Sequence, residues 1–207
     1  QTGTLAREKW EDEHTPLLQE SKAFKGKFRV RKANGREAWI WTKTRSIHGL
    51  STGTEKAGHG RTLDLALLDE YFAQIDLRQD QAVGPAMITR DWAQKWRLST
   101  SGTSRSVPFN AMRARGRRAL DSGRPTRFAF FDWCGLKSQP RDDPRSWLEC
   151  MPALCPSPVR GRCRCSPDWR HTVLTSTVQA ELEDMADEPE EFDRAYRNIP
   201  REDGELE

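Results

Sequence analysis

The sequence predicts an α/β fold: short parallel strands that end in polar tips, with helices around them. Two stretches carry that expectation. Leu65, Ala66, Leu67 and Leu68 make a short apolar run of the buried parallel-strand type, which stops abruptly at the adjacent carboxylates Asp69 and Glu70. Further on, Trp96, Arg97 and Leu98 lead in the same manner into Ser99, Thr100 and Ser101, just ahead of Gly102. Ligands of open α/β sheets bind beyond the C-terminal ends of the strands, so both tips are expected to border one site.

The other elements follow in chain order. Thr2 or Thr4 is placed to cap a helix that carries Leu5 and Trp10 inward. Residues 28–42 read as a β-hairpin: Phe-Arg-Val-Arg-Lys alternates, Asn34-Gly35 suits a two-residue turn, and Ala38-Trp-Ile-Trp returns. Residues 43–60 are rich in Gly, Ser and Thr and read as loop. Gly53 is too isolated there for a phosphate cradle, and His48 and His59 read as loop residues rather than ligands. Tyr71 and Phe72 begin a helix or turn, and residues 79–88 form a short helix interrupted at Gly84-Pro85. Residues 107–119 are a basic helix with Phe109, Met112 and Leu120 as its buried positions, and residues 127–133 are a third strand. A helix starts at Pro144, residues 155–171 are irregular, and two helices close the sequence, over 174–186 and 190–196. Phe192 and Tyr196 lie one turn apart on the last of them.

Net charge is only +3, but it is distributed in blocks. Residues 105–127 hold seven arginines against one acid, whereas residues 181–193 hold eight acids and no base. A basic run suits a polyanion, although a solvated helix face is its commoner use. Arg113, Arg115, Arg117 and Arg118 are the candidates for DNA or subunit contact. No apolar run approaches the roughly 20 residues of a membrane span. No secretory leader is visible, so the expected compartment is the cytoplasm. Five cysteines at 134, 150, 155, 163 and 165 argue against a disulfide framework. The gaps among Cys150, Cys155, Cys163 and Cys165 match no standard paired-cysteine finger, so loop thiols are the expectation and zinc the minor alternative.

At the first tip, successive residues face opposite sides of a strand, so two acids can take different jobs. In a nucleoside triphosphatase Asp69 would hold Mg²⁺ and Glu70 would polarise the attacking water. A solvated acidic turn is the plainer alternative. At the second tip, hydroxyls and backbone amides of residues 99–101 suit contact with a terminal phosphate.

The ordered set of motifs resembles the ATPase domain of the large terminase subunit, the DNA-packaging motor of tailed bacteriophages. Ala6 to Trp10 looks like the helix after the second strand. Gly58-His-Gly60 followed by Leu65 to Glu70 looks like the glycine-rich approach and Walker B strand. Leu98-Ser-Thr-Ser-Gly-Thr103 is similar to the coupling motif, and Phe131-Asp-Trp133 to the aromatic strand after it. Asp143-Pro to Trp147 with Pro152-Ala-Leu154, and Phe192 to Asn198, resemble the run toward the nuclease domain. The resemblance covers most of residues 1–200. It implies a partial P-loop NTPase (RecA-like) parallel sheet with a hairpin and a C-terminal helical segment. Residues 1–135 would be the ATPase core and residues 136–207 the segment leading toward a nuclease domain.

The same resemblance implies hydrolysis of ATP with Mg²⁺ to drive double-stranded DNA into a procapsid. Asp69 would hold the metal, Glu70 would be the catalytic carboxylate, and Ser99, Thr100 and Ser101 would sense the γ-phosphate. The implied partners are DNA, portal protein, small terminase subunit and further copies in a ring, in the bacterial host cytoplasm during phage assembly. The sequence departs from that family in several places. No Gly-x-x-x-x-Gly-Lys-Ser/Thr occurs, and Gly26-Lys27 is followed by Phe28. Met151 stands where the family has Asn, and residues 155–171 have no counterpart. The Walker A loop and nuclease domain are therefore expected outside this sequence or lost, and weak or no turnover from this chain alone. The alternatives are a degenerate prophage remnant, a non-enzymatic DNA or protein interaction module, or a helicase-type ATPase with a second α/β domain.

Overall fold

The computed structural model describes residues 3–51, 62–166 and 170–201. Thr2, Gly53 and Gly58-His59-Gly60 lie outside them. In chain order the elements are α1 (Gly3–Glu8), a wide π-type turn (Lys9–His14), α2 (Thr15–Glu20), β1 (Phe28–Arg31), β2 (Ala38–Trp41), β3 (Ile47–Gly49) and β4 (Leu65–Leu68). A 3-10 turn (Tyr71–Ala73), α3 (Arg78–Met87), β5 (Gln94–Arg97), α4 (Val107–Ser122), α5 (Pro144–Cys150), α6 (Thr175–Asp184) and α7 (Pro189–Tyr196) follow. The chain forms two compact units, residues 1–66 with 77–94, and residues 67–76 with 95–207. Among the described residues no helix is long and apolar enough to cross a membrane.

The first unit holds an antiparallel sheet in the order β1-β2-β3. The expected hairpin is present, with Phe28 opposite Trp41 and Arg31 opposite Ala38, but its connection is longer than two residues. Arg36 N–H donates to Ala33 O at 2.9 Å across Asn34-Gly35, and only Gly35 takes a positive φ, +69°. A two-residue turn of the favoured kind needs positive φ at both positions. Instead, Arg31 Nε bridges the connection to Arg36 O at 2.6 Å. The stretch read as loop contributes β3, whose backbone pairs Trp39 with His48 and Ile40 with Ile47. At three residues, Ile47-His48-Gly49, it is too short to show an alternation. Trp10 is buried as expected and stacks on Trp39 at 5.7 Å, whereas Leu5 is exposed. Thr15 Oγ1 joins the two, accepting from Trp39 Nε1 at 2.9 Å and donating to Trp10 O at 2.7 Å. Helix α3 runs through Pro85 without a break and buries Ala82, Val83 and Met87.

The second unit is built around Trp147, Leu154, Val178 and Phe192, with Met151, Val173, Leu182, Met185 and Tyr196 packed on them. Asp143 caps α5 by accepting the Arg145 N–H at 2.9 Å, with Pro144 at the position where its missing donor costs nothing. Phe192 stacks on Tyr196 at 5.1 Å, as their spacing predicts. The basic helix α4 is present, but its buried face differs from the expected one. Pro108, Arg113 and Gly116 are buried, Phe109 and Met112 are half-buried, and Leu120 is exposed. Residues 127–133 are not a laddered strand; among the described residues they have no partner strand. They keep a strand's alternation nonetheless. Phe128 lies under the Arg115 guanidinium at 5.0 Å and Asp132 meets Arg113 and Arg117, while Phe131 and Trp133 are exposed. A Cβ on Gly116 would stand 2.3 Å from Phe130 Cγ, so only glycine admits this approach.

Trp147 is fully buried, and its Nε1–H donates to Arg141 O at 2.7 Å. Trp147→Ala is expected to cost about 3–5 kcal/mol, read as a lowered urea midpoint; a loss below about 1 kcal/mol would place the core of this unit elsewhere.

Candidate functional site at the paired strand tips

Strands β4 and β5 form a two-stranded sheet. Gln94 N–H donates to Asp64 O and Leu98 N–H to Leu68 O, both at 2.9 Å, a constant offset that makes the pair parallel. The apolar run is buried on one face only. Ala66 and Leu68 are buried, while Leu65 and Leu67 are about half exposed, which corrects the expectation of a strand covered on both sides.

The pairing continues beyond the strands. Tyr71 N–H donates to Leu98 O at 3.0 Å, and Phe72 N–H to Ser99 Oγ at 2.9 Å. The carboxylate tip and the hydroxyl tip therefore lie side by side at the C-terminal edge of one sheet, as the sequence implies. Asp69 is exposed, and its Oδ1 accepts the Glu70 N–H at 3.0 Å. Glu70 is half-buried and left-handed, at φ 51° and ψ 45°. For a residue with a Cβ that conformation costs about 1–2 kcal/mol, and such cost is commonly held at functional positions. The strain redirects the chain into the Tyr71–Ala73 turn, where Tyr71 is buried beneath the Arg97 guanidinium at 5.4 Å.

The three hydroxyl residues of the second tip separate into different roles. Ser99 donates its one proton to Thr100 O at 2.7 Å while accepting from Phe72, so it clamps the two tips together. Ser101 is fully buried: it donates to Asn198 O at 2.6 Å and accepts from Arg113 NH1 at 3.3 Å. In this arrangement the Ser99 and Ser101 hydroxyl protons are both taken by backbone carbonyls, while Thr100 is exposed. Behind them, Arg194 NH1 donates to Ser101 O at 2.9 Å, and its guanidinium lies 5.7 Å from the Phe72 ring. A Cβ on Gly102 would stand 2.2 Å from Ser106 Oγ, so a glycine is needed where this turn meets the start of α4.

Arg113 also overturns an expectation. It is buried rather than offered to DNA, and it pairs with Asp132 at 3.2 Å while NH2 donates to Asn198 O at 3.3 Å. Arg117 shares Asp132 at 2.8 Å, and Arg115 and Arg118 are exposed. The sequence signal for Arg113 was its position one turn from Gly116 on a helix poor in large apolar residues. Beyond α7, Arg197 is buried, bonding Asp193 at 2.7 Å and the carbonyls of Leu136 and Gln139 at 2.7 and 3.0 Å. Burial pushes the Asp193 carboxyl up, but hydrogen bonds from Arg141 and Arg197 outweigh it and hold the group below its ordinary range.

Comparison with known proteins places this architecture. The fold is similar to the crystal structure of the HK97 bacteriophage large terminase, with a TM-score of 0.65 and 15% identity over 90% of this chain. This chain spans 36% of that protein's length. No family model matches the sequence, and no curated protein does. The chain thus has a terminase large subunit fold.

Removing Arg113 leaves Asp132 and Ser101 short of a buried partner. Arg113→Ala is expected to cost about 3 kcal/mol in urea unfolding, against less than about 0.5 for Arg118→Ala; equal costs would contradict the inward assignment. The lowered Asp193 carboxyl sets an acid limit. Its contribution is complete above the unfolded value of about 3.9 and is lost as pH falls through the folded value. Thermal midpoints followed from pH 6 downward to about 2 are expected to fall less steeply in Asp193→Asn than in the unaltered chain.

Proposed function

We propose that this chain is the central part of a large-terminase motor ATPase, coupling ATP hydrolysis to the movement of double-stranded viral DNA into a procapsid. One observation carries the reading: in a chain with the large-terminase fold, an exposed carboxylate and a strained second carboxylate share a sheet edge with the Ser99–Ser101 turn. On this reading residues 1–135 are the core of a P-loop (RecA-like) ATPase domain, and residues 136–207 lead toward a nuclease domain. Its partners are DNA, the portal protein, the small terminase subunit and further copies in a ring.

The residues fit a magnesium ion. Asp69 is solvent-facing, and among the described residues its carboxylate is engaged by the Glu70 N–H at Oδ1, which leaves oxygen for a hard cation that takes one or two carboxylates and several waters. A phosphate cradle is not among these residues, since the sequence holds no Gly-x-x-x-x-Gly-Lys-Ser/Thr. ATP, when bound with Mg²⁺, supplies the phosphoanhydride whose hydrolysis drives the work. Asp69 holds the cation. Glu70, turned by its left-handed backbone, orients and polarises water. Thr100 offers a hydroxyl to the phosphate side, and Ser99 keeps the two tips in register. Ser101 and Arg194 tie the turn to the end of α7, so a shift at the tip is carried into the chain beyond. The exposed Arg115 and Arg118 are the remaining candidates for DNA or subunit contact.

The test is turnover. In the longest natural polypeptide containing this sequence, Glu70→Gln is expected to lower Mg²⁺-dependent ATP hydrolysis about 100-fold or more with the unfolding midpoint unchanged. The 207-residue chain alone is expected to show little or none. Unaltered turnover in Glu70→Gln removes Glu70 from the chemistry, and robust turnover by the short chain removes the need for the missing cradle.

A further inference from the structure

Residues 155–171 have no place in the reading above, yet they bring four soft ligand groups together. Cys155, Cys163 and Cys165 each present a sulfur and His171 a ring nitrogen, and these atoms all lie within 4.8 Å of one another. We propose that Cys155, Cys163, Cys165 and His171 form a closed structural site for one zinc ion.

The spacing excludes a disulfide and matches the edges of a metal tetrahedron, and the hydrogen bonds now linking these groups would give way to bonds to the ion. Zinc bonds of about 2.3 Å to sulfur and 2.0–2.1 Å to nitrogen give a tetrahedron with edges near 3.8 Å for S···S and 3.5 Å for S···N. Cys155 Sγ lies 3.7 Å from Cys165 Sγ, and Cys163 Sγ lies 3.3 Å from His171 Nδ1. A disulfide would need about 2.05 Å, and all five cysteines are free. Without a cation these sulfurs share protons in hydrogen bonds, and a bound divalent ion would displace those protons. Three sulfurs and an imidazole select zinc among common divalent ions, and four protein ligands fill its tetrahedron, so the site is structural rather than catalytic.

The local chain is shaped to hold the ligands. Val159 and Arg162 exchange both backbone bonds, at 2.9 and 3.1 Å, across Arg160 and Gly161. Both central residues have positive φ, +48° and +70°, which is the favoured tight hairpin. This turn lies between Cys155 and Cys163, and the His171 N–H donates to Cys163 Sγ at 3.3 Å. The segment is also pinned at its ends: Cys155 N–H donates to Val173 O at 2.9 Å, and Val173 N–H to Ala153 O at 3.1 Å. Leu154 beside them belongs to the buried core. Between the pins the large apolar residues are only Val159 and Trp169, beside three prolines and four arginines against one acid, Asp168. Arginines suit a site whose three thiolates outweigh the charge of the ion. A metal can supply the cohesion that such a segment lacks.

Cys150, the fourth ligand the sequence suggested, is elsewhere. Its thiol is engaged with Ser146 O at 3.2 Å inside α5, and burial pushes it up to about 11, so it stays protonated. It therefore serves as the internal control. The full chain, purified under reducing conditions and freed of loose metal, is expected to carry one zinc per chain by mass spectrometry. Its cobalt(II)-substituted form should show the thiolate charge-transfer and strong ligand-field bands of a tetrahedral sulfur site. Cys163→Ser and His171→Ala should each weaken zinc about 100-fold or more, while Cys150→Ser binds as the parent does. A reduced parent chain without stoichiometric zinc, a cobalt spectrum without thiolate bands, or Cys163→Ser holding zinc as tightly as the parent overturns the assignment.

Discussion

The second unit depends on one buried guanidinium. Arg113 is taken out of water at the middle of α4, and a charge in that position must be met on several sides. Asp132, Ser101 and the Asn198 carbonyl meet it. Those three groups come from the extended aromatic segment, from the turn after β5 and from the chain beyond α7. Leaving the guanidinium unpaired would cost several kcal/mol, so each of these segments is held where its partner atom is required. Gly116 allows the aromatic segment to approach, because any side chain there would collide with Phe130.

That arrangement gives the strand tips a rigid back and an open front. Ser101 is locked from behind by Arg113, Arg194 and Asn198, while Asp69 and Thr100 face solvent. A polar site needs both qualities: groups that hold position without reorganising, and room for a ligand to reach them. Left-handed backbone recurs at both ends of this linkage, at Glu70 and at Asn198. On the proposed function, the linkage is the path by which events at the tip would reach the segment that follows α7.

Two kinds of cohesion operate within the same unit. The core around Trp147, Leu154, Val178 and Phe192 is apolar and gathers residues from α5, α6 and α7. Immediately beside it, Cys155, Cys163, Cys165 and His171 gather sulfur and imidazole instead, and on the proposed zinc site these would hold their segment. Leu154 and Cys155 are neighbours in sequence and both buried, and they mark where one mode gives way to the other.

The sequence by itself determined whatever rests on near neighbours. The apolar run to Leu68 and its carboxylate end, the cap of α5 at Asp143, and the Phe192–Tyr196 pair are all written in spacings of a few residues, because strand alternation, capping and helix periodicity act over that range. It also placed the two strand tips together, through an order of motifs rather than any single one. Tertiary structure alone decided which groups met across long separations. β3 formed because a backbone edge was available to it, not because its side chains announced a strand. Residues 127–133 kept a strand's alternation but found a helix instead of a partner strand. Arg113 read as surface until Asp132 and Ser101 arrived beside it, and His171, not Cys150, is the group that lies with Cys155, Cys163 and Cys165. In each case the free energy belongs to a partner on another segment, seven residues away for Ile47 and Ile40 and 19 for Arg113 and Asp132, and composition at the residue itself carries no record of it.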